Sequence, residues 1–357
     1  MSNLPSITID KVPGMLKYCR ANNETFLMEG ATGIAKTSFV KQFAASEGIA
    51  FKLFEIGGIG SEEVKGYGKL NEEEWITEFL PPERLPHLDR DGPEGILLLD
   101  EFAYAYDQTK NCVRQLITEG TLGQYTLPPG WQIAIATNRK EDGTSAGKIG
   151  ANVYSACFSV EVLPSAECWL AHDKSEGGNM FVQAWVKGNP DMIYSREKTD
   201  KAFPTMRTLS KASRAVNNIT DDDFLLDTIV GAAIGTGAAA KLLAFIKLAK
   251  SGASFPTWGA ITSNPMSAPL PTDAGEHAAS MSFAAITMIR NKLDGSNVDD
   301  TGAVVTYIDR LPRDYQIAFM HDLNNKSRLQ VEEGGADIMD NSHITGWRSR
   351  NPDAIIG

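Results

Sequence analysis

The chain has 357 residues, 42% hydrophobic and 22% charged, which is ordinary for a globular protein and enough for two or three domains with sizeable cores. Its 34 basic and 45 acidic residues give a formal charge of −11, which argues against broad binding to nucleic acid but leaves room for a local basic pore in a ring of subunits. No run of about 18 apolar residues suggests a membrane span, and the opening "MSNLPSITIDKV" lacks the basic head and apolar core of a signal peptide.

A cytoplasmic protein is therefore expected. Its four cysteines, Cys19, Cys112, Cys157 and Cys168, form no C-x-x-C pair and no histidine-flanked set, and they read as reduced thiols.

In chain order, residues 8–24 read as a short amphipathic helix, with Val12, Met15, Leu16 and Cys19 at helical spacing. "TFLMEG" reads as a buried strand ending at Gly30, and helical spacing resumes from Lys36 to Ala45. "IAFKLFEIG" is a second strand, and residues 57–92, rich in Gly, Glu and Pro, form an elaborated connection. "GILLLDEF" is apolar throughout, as a parallel strand buried on both faces should be. A helix over Gln108 to Glu119 follows, then strands at "WQIAIATN" and "CFSVEVL". Strands alternating with helices imply a parallel α/β sheet of five strands with right-handed crossovers, ending near Pro164.

Beyond that point the pattern is helical. "TMRTLSKASRAVNN" and the segment from Asp221 to Lys250 are the clearest stretches, and "IVGAAIGTGAAAKLLAFIKLA" reads as one or two buried helices. A Pro/Gly/Ser-rich connector follows Ser251, then a helical region over about 275–325 broken at Pro312. The last ~30 residues are polar, a stretch that only packing or a partner would order. The expected division is an α/β core over 1–164, a helical lid over 165–251 and a mostly helical extension with an irregular tail over 252–357.

Three strand ends carry the chemistry. "EGATGIAKTS" resembles the G-x-x-x-x-G-K-[ST] phosphate loop, with Gly30, Lys36 and Thr37 in place but Ala35 where a glycine is usual. A phosphate cradle needs converging backbone N–H groups, a helix N-terminus and a lysine that reaches the β- and γ-phosphates. Gly30, Ala31, Thr32, Gly33, Ile34, Ala35, Lys36, Thr37 and Ser38 supply that run, with the Thr37 hydroxyl for Mg2+. Ala35 is expected to lie at the helix entrance with negative φ. The plainer reading of the loop is a glycine-rich strand-to-helix turn.

In "ILLLDEF", Asp100 and Glu101 close an apolar strand at the end where parallel sheets bind ligands. Asp100 can hold Mg2+, and Glu101 can deprotonate an attacking water; alone, the pair reads as an acidic helix cap. Asn138, at the tip of "IAIATN", can hydrogen-bond a γ-phosphate or the water, or be an ordinary turn asparagine.

With loop, D-E strand and T-N strand in this order, the chain resembles the AAA+ ATPases over about residues 10–250. The G-x-x-G-x-A-K-T form and "LGQYTLPPGWQIAIATNR" are similar to the MoxR branch, in which a hairpin precedes the last of these strands. "TYIDRLPRDYQIAFMHDL" is similar, less closely, to C-terminal segments of some MoxR-like proteins.

The resemblance implies several further things. Arg207, in "FPTMRTLSKASRAV", would stand over the γ-phosphate from the lid; as a plain residue it is a solvated or ion-paired arginine. Tyr67, in "VKGYGKL", would grip a polypeptide in a central pore; otherwise it is a turn tyrosine. Cys157 falls where relatives carry an arginine finger, a residue worth roughly 10³–10⁵ in rate where it acts in trans. Hydrolysis is then slow, or another cation serves, with Arg139 and Lys148 nearest.

The function implied is an ATP–Mg2+-dependent homo-oligomer, a hexameric ring, that remodels a protein partner, in relatives often one with a von Willebrand factor A domain. A hydrolysis-impaired, nucleotide-gated switch or scaffold is the alternative. A nucleic-acid motor is disfavoured because Glu62, Glu63 and Glu72 to Glu74 surround Lys65 and Lys69, and a metabolic kinase because a lid arginine would be superfluous.

Overall fold

The computed structural model describes residues 4–139, 147, 149–196, 201–251, 255–294, 297–332 and 337–354. Two compact units divide the chain. One holds the residues up to Cys168 together with Thr205–Arg207; the other comprises Trp169–Arg196, residues 201–204 and the chain from Thr208 onward.

The first unit opens with strand β1 (Ser6–Thr8), helix α1 (Val12–Ala21), strand β2 (Thr25–Gly30), helix α2 (Lys36–Ser46) and strand β3 (Ala50–Glu55). Next come α3 (Ser61–Lys65), the hairpin β4 (Tyr67–Asn71) and β5 (Ile76–Leu80), α4 (Leu88–Asp91), β6 (Glu94–Asp100) and α5 (Asp107–Glu119). A second hairpin, β7 (Thr121–Leu122) and β8 (Tyr125–Thr126), precedes β9 (Gly130–Thr137); α6 (Ala151–Tyr154) and β10 (Cys157–Leu163) close the unit. Six strands form one sheet in the order β1-β10-β2-β9-β6-β3, every pair parallel.

The expected α/β class is therefore what the structure shows, with six strands instead of five. The extra strand lies just before the region expected to be helical and overlaps it only at Thr8. Helix α1 starts only at Val12, where Pro13 suits the first helical turn, and it buries Val12, Leu16 and Cys19 as the spacing predicts. The three-residue β1 pairs with β10 at the sheet edge.

Alternation along the strands explains the run of aliphatic residues in "ILLLD". Leu97 and Leu99 join Leu27, Ile133 and Ile135 in a core against Val113, Leu116 and Ile117 of α5. Their neighbours Ile96 and Leu98, equally buried, point to the other face, where α1 and α2 pack on the sheet.

In the second unit the helices are α7 (Ala166–Ser175, its first turn in the other unit), α8 (Met180–Gly188), α9 (Met206–Asn218), α10 (Asp223–Ile234) and α11 (Thr236–Ser251). Then come α12 (Trp258–Ser263), α13 (Ala278–Lys292), α14 (Thr301–Ile308), α15 (Arg313–Glu332) and α16 (Ser342–Arg350). The long apolar stretch is two helices parted at Gly235, whose φ of 83° suits glycine. Pro312 stands immediately before α15 and ends the preceding turn. The polar tail is ordered by packing: α16 buries Ile344 and Trp347 in a core shared with α14, α15 and Tyr307.

Candidate active site

Strands β2, β6 and β9 run side by side and parallel, so their C-terminal ends bring the three motifs to one edge of the sheet. The loop from Gly30 to Lys36 leaves β2 there. Gly30 is confined to glycine by space, since a Cβ would stand 2.6 Å from the Val162 carbonyl oxygen. Gly33 is confined by both conformation and space, with φ 75° and a Cβ position 2.8 Å from the Thr205 hydroxyl.

Ala35 corrects the sequence reading. Its φ is 69° and ψ 24°, so it takes the left-handed turn itself instead of entering the helix with negative φ. Alanine thus stands in a conformation that glycine adopts readily, and its Cβ carries a strain of about 1–2 kcal/mol. Part of that strain is offset by the stiffer unfolded chain. We expect Ala35→Gly to raise stability by up to about 1 kcal/mol in urea titration, and β-branched Ala35→Val to lower it. A Gly variant clearly less stable than the parent would remove the strain assignment.

Lys36, the first residue of α2, is 7% exposed. Its ammonium donates to the Gly30 carbonyl (2.8 Å), the Ala31 carbonyl (2.9 Å) and Asn138 Oδ1 (3.0 Å). The loop lysine and the β9-tip asparagine are thus in direct contact. The Thr37 hydroxyl donates to Asp100 Oδ2 at 2.5 Å, and the Glu101 N–H donates to Asp100 Oδ1 at 2.8 Å, so both carboxylate oxygens are held.

Glu101 has φ 57°, a left-handed conformation that is rare off glycine and tends to mark functional turns. A Cβ on Gly57 would stand 2.7 Å from Glu101 Oε2, so the carboxylate lies against the chain that leaves β3. Burial raises its pKa, and the negative charges of Asp100 and Glu55 add to the rise. Proton affinity is thereby moved toward what a general base requires.

Two residues not singled out in the sequence complete the frame. The buried Thr137 hydroxyl accepts from the Ala103 N–H (3.2 Å), tying the end of β9 to the turn that carries Glu101. Thr205 packs on Gly33, and the Arg207 N–H donates to the Gly33 carbonyl at 3.1 Å. The Arg207 backbone therefore sits on the loop while its side chain is exposed. Thr205 is adjacent to the "MRT" motif, the one signal that could have found it. Within the loop, Ala31 and Ile34 are buried and hold its base, Thr32 is half-buried, and Ser38 is exposed on α2.

Gly30, Gly33, the Lys36 ammonium and the start of α2 fit a chain of phosphates, with the ammonium now bonded to carbonyl oxygens where phosphate oxygens would serve. Thr37 and Asp100 fit a divalent cation. Among the described residues no group of three or more His, Cys, Asp or Glu could hold a metal, so the remaining ligands would be water and phosphate oxygens, as Mg2+ prefers.

Of the cations considered for the finger, Arg139 is half-buried and paired with Glu161 of its own chain (2.9 Å), and Lys148 lies outside the described residues. Cys157 starts β10, half-buried against the core, and burial pushes its thiol up to about 12. All four cysteines are free. Tyr67 is 71% exposed at the start of the β4–β5 hairpin, whose turn residue Trp75 is 90% exposed.

No family model and no curated protein matches the chain. Among solved structures it is similar to the Thermotoga maritima RuvB Holliday junction branch migration motor, with a TM-score of 0.38 and 12% identity over 66% of this chain and 67% of that one. It is also similar to a structure from Cytophaga hutchinsonii ATCC 33406 carrying an ATPase designation, with a TM-score of 0.35 and 12% identity over 89% of this chain and 82% of that one. Likeness at these levels carries no functional inference. No described helix is long and apolar enough to cross a membrane.

Proposed function

We propose that the chain is an ATP-hydrolysing AAA+ protein of the MoxR-like kind, which assembles as a hexameric ring and remodels a protein partner. The observation that carries this reading is the convergence of Lys36, Asn138, Thr37, Asp100 and Glu101 at one sheet edge, in direct hydrogen-bond contact apart from Glu101, whose backbone braces Asp100.

ATP would lie along residues 30–38 with its phosphates on the loop amides and the Lys36 ammonium. Thr37 and Asp100 would hold Mg2+, which would supply charge neutralisation on the phosphates when bound. Glu101 takes a proton from water as the water oxygen bonds to the γ-phosphorus and the bond to the leaving ADP oxygen breaks. Asn138 orients the water or the γ-phosphate, and Arg207 neutralises charge from above. Residues 165–251 serve as the lid and 252–357 as its extension.

A protein partner suits the β4–β5 hairpin better than nucleic acid does. It exposes Tyr67, Leu70, Trp75 and Leu80, and carries Glu72, Glu73, Glu74 and Glu78 against Lys69. A polyanion would meet mostly carboxylates there. Tyr67 is proposed to grip polypeptide, and a von Willebrand factor A domain protein is one such partner.

The half-buried thiol of Cys157 and the engaged Arg139 favour a second reading, a slow, nucleotide-gated switch. One experiment addresses both: particle mass and ATP turnover, with and without ATP, for wild type and Cys157→Arg. A ring forming on ATP supports assembly, and a monomer under both conditions defeats it. Slow turnover raised at least ~10-fold in Cys157→Arg identifies the missing finger, against the 10³–10⁵ such a residue can supply. Brisk wild-type turnover unchanged by the substitution rejects the switch.

A further inference from the structure

An arginine cannot shed its charge inside a protein, so a buried one calls for an anion close by. Arg290, on α13, is 9% exposed. Its Nε and Nη2 both donate to the neutral Asn291 Oδ1, at 3.2 and 2.6 Å. Its Nη1 makes no hydrogen bond among the described residues and is not sealed from solvent, so it is free to take a partner from outside. The carboxylate within ion-pair reach is Asp322 of α15, and at 4.0 Å it is too far for a hydrogen bond.

Two further cations press on the same carboxylate. The Lys187 ammonium of α8 stands 3.7 Å from Asp322 Oδ2 and 4.7 Å from the centre of the Phe283 ring, which holds it in place. Lys174, near the end of α7, has no hydrogen bond or ion pair among the described residues. Burial lowers its pKa, and the positive charges of Arg290 and Lys187 lower it further against the pull of Asp322. Nor do the carbonyls ending α13 supply the missing anion. The Lys326 ammonium takes those of Arg290, Asn291 and Leu293, at 2.9, 3.3 and 2.7 Å.

Three cations therefore share one carboxylate that hydrogen-bonds none of them, in a chain whose formal charge is −11. Such like charges repel unless an anion joins them. A carboxylate ligand would cancel only part of the surplus, whereas a dianion would cancel it. A phosphate group also offers oxygens in several directions, which suits one guanidinium and two ammonium groups arriving from different helices. All four residues belong to the second unit, so this place is built apart from the phosphate loop of the first.

We propose that Lys174, Lys187 and Arg290 form a binding site for a phosphate dianion, free or carried as a monoester, with Asp322 holding the cations in place and weakening the affinity. A purely structural ion cluster and a surface for nucleic-acid backbone are the competing outcomes.

The test follows the Arg290 Nε–H signal in the full chain, 15N-labelled at arginine and assigned by its loss in Arg290→Lys. The probes are inorganic phosphate, capped phosphoserine, sulfate, acetate and a DNA duplex. Saturable shifts are expected with sulfate and with inorganic phosphate or phosphoserine, those two showing whether the free ion or the monoester is preferred; acetate should bind at least ~10-fold more weakly. Affinity should fall at least ~10-fold in Lys174→Gln/Lys187→Gln, which removes two charged donors. It should rise at least ~3-fold in Asp322→Asn, where a carboxylate no longer opposes the ligand. Should the double variant fail to fold, Lys174→Gln carries the comparison, since that side chain has no hydrogen bond or ion pair to lose. No saturable shift at millimolar phosphate, equal affinity for acetate, unaltered affinity in the lysine variants, weaker binding in Asp322→Asn, or a response to the duplex alone would each overturn the proposal. The shift should persist in Lys36→Ala, and its disappearance there would assign the response to the phosphate loop. No nucleotide or turnover enters the measurement, so its failure leaves the hydrolysis reading untouched.

Discussion

Glu101→Gln is expected to lower ATP turnover by about 10²–10⁴-fold, the usual contribution of a positioned general base, while nucleotide affinity stays within a few-fold of wild type. The substitution keeps shape and removes only the ability to accept a proton. Glu101 touches neither Lys36 nor Thr37 by hydrogen bond; its backbone N–H, which the substitution retains, is what braces Asp100. Binding and turnover should therefore separate.

The pH profile gives an independent reading. Burial, then Asp100 and Glu55, raise the Glu101 pKa above its ordinary value of 4.5. The working form is the carboxylate, so wild-type turnover is lost as pH falls through that raised pKa, at a higher pH than an ordinary glutamate would give. The residual rate of Glu101→Gln should lack that limb. The stability sign is opposite. A raised folded pKa means folding favours the protonated acid, a contribution present below the unfolded pKa and lost as pH rises through the folded one. At neutral pH the Gln variant should thus melt no lower than wild type. Turnover unaffected by the substitution would remove Glu101 from the role of base.

The central strands of the sheet were legible because they are buried on both faces, and "ILLLD" or "IAIAT" can be little else. The motifs at their ends were legible for the same reason, since a parallel sheet puts its strand C-termini on one edge. Three kinds of feature were not. The β1 strand is three residues long, too short for alternation to register. The β4–β5 hairpin is exposed on both faces and shows no apolar/polar contrast, so the Gly- and Glu-rich composition of residues 57–92 read as a connection. Backbone conformation at Ala35 and Glu101 is set by the loop's need to turn its amides inward and by the turn after β6, and residue type alone predicts the opposite sign of φ at both.

Lys36→Ala should abolish measurable ATP binding under conditions where wild type saturates, with a loss of at least roughly 10²-fold. Hydrogen bonds to charged groups are worth about 1.5–3 kcal/mol each, and a lysine on the β- and γ-phosphates makes more than one; each 1.4 kcal/mol is about tenfold. In the structure the ammonium is already placed. It is held by two loop carbonyls and Asn138, so exchanging those acceptors for phosphate oxygens requires little rearrangement of the side chain. Lys36→Arg should not rescue binding, because a planar fork cannot replace a compact ammonium in a space bounded by Gly30, Ala31 and Asn138. Unfolding is the competing cause of lost binding, and thermal melts separate the two. Deleting these neutral acceptors' shared donor should cost about 1–3 kcal/mol, a downward shift of roughly 2–12 °C. A folded Lys36→Ala protein that binds a fluorescent ATP analogue as wild type does would show that residues 30–38 are a strand-to-helix turn and not a phosphate site.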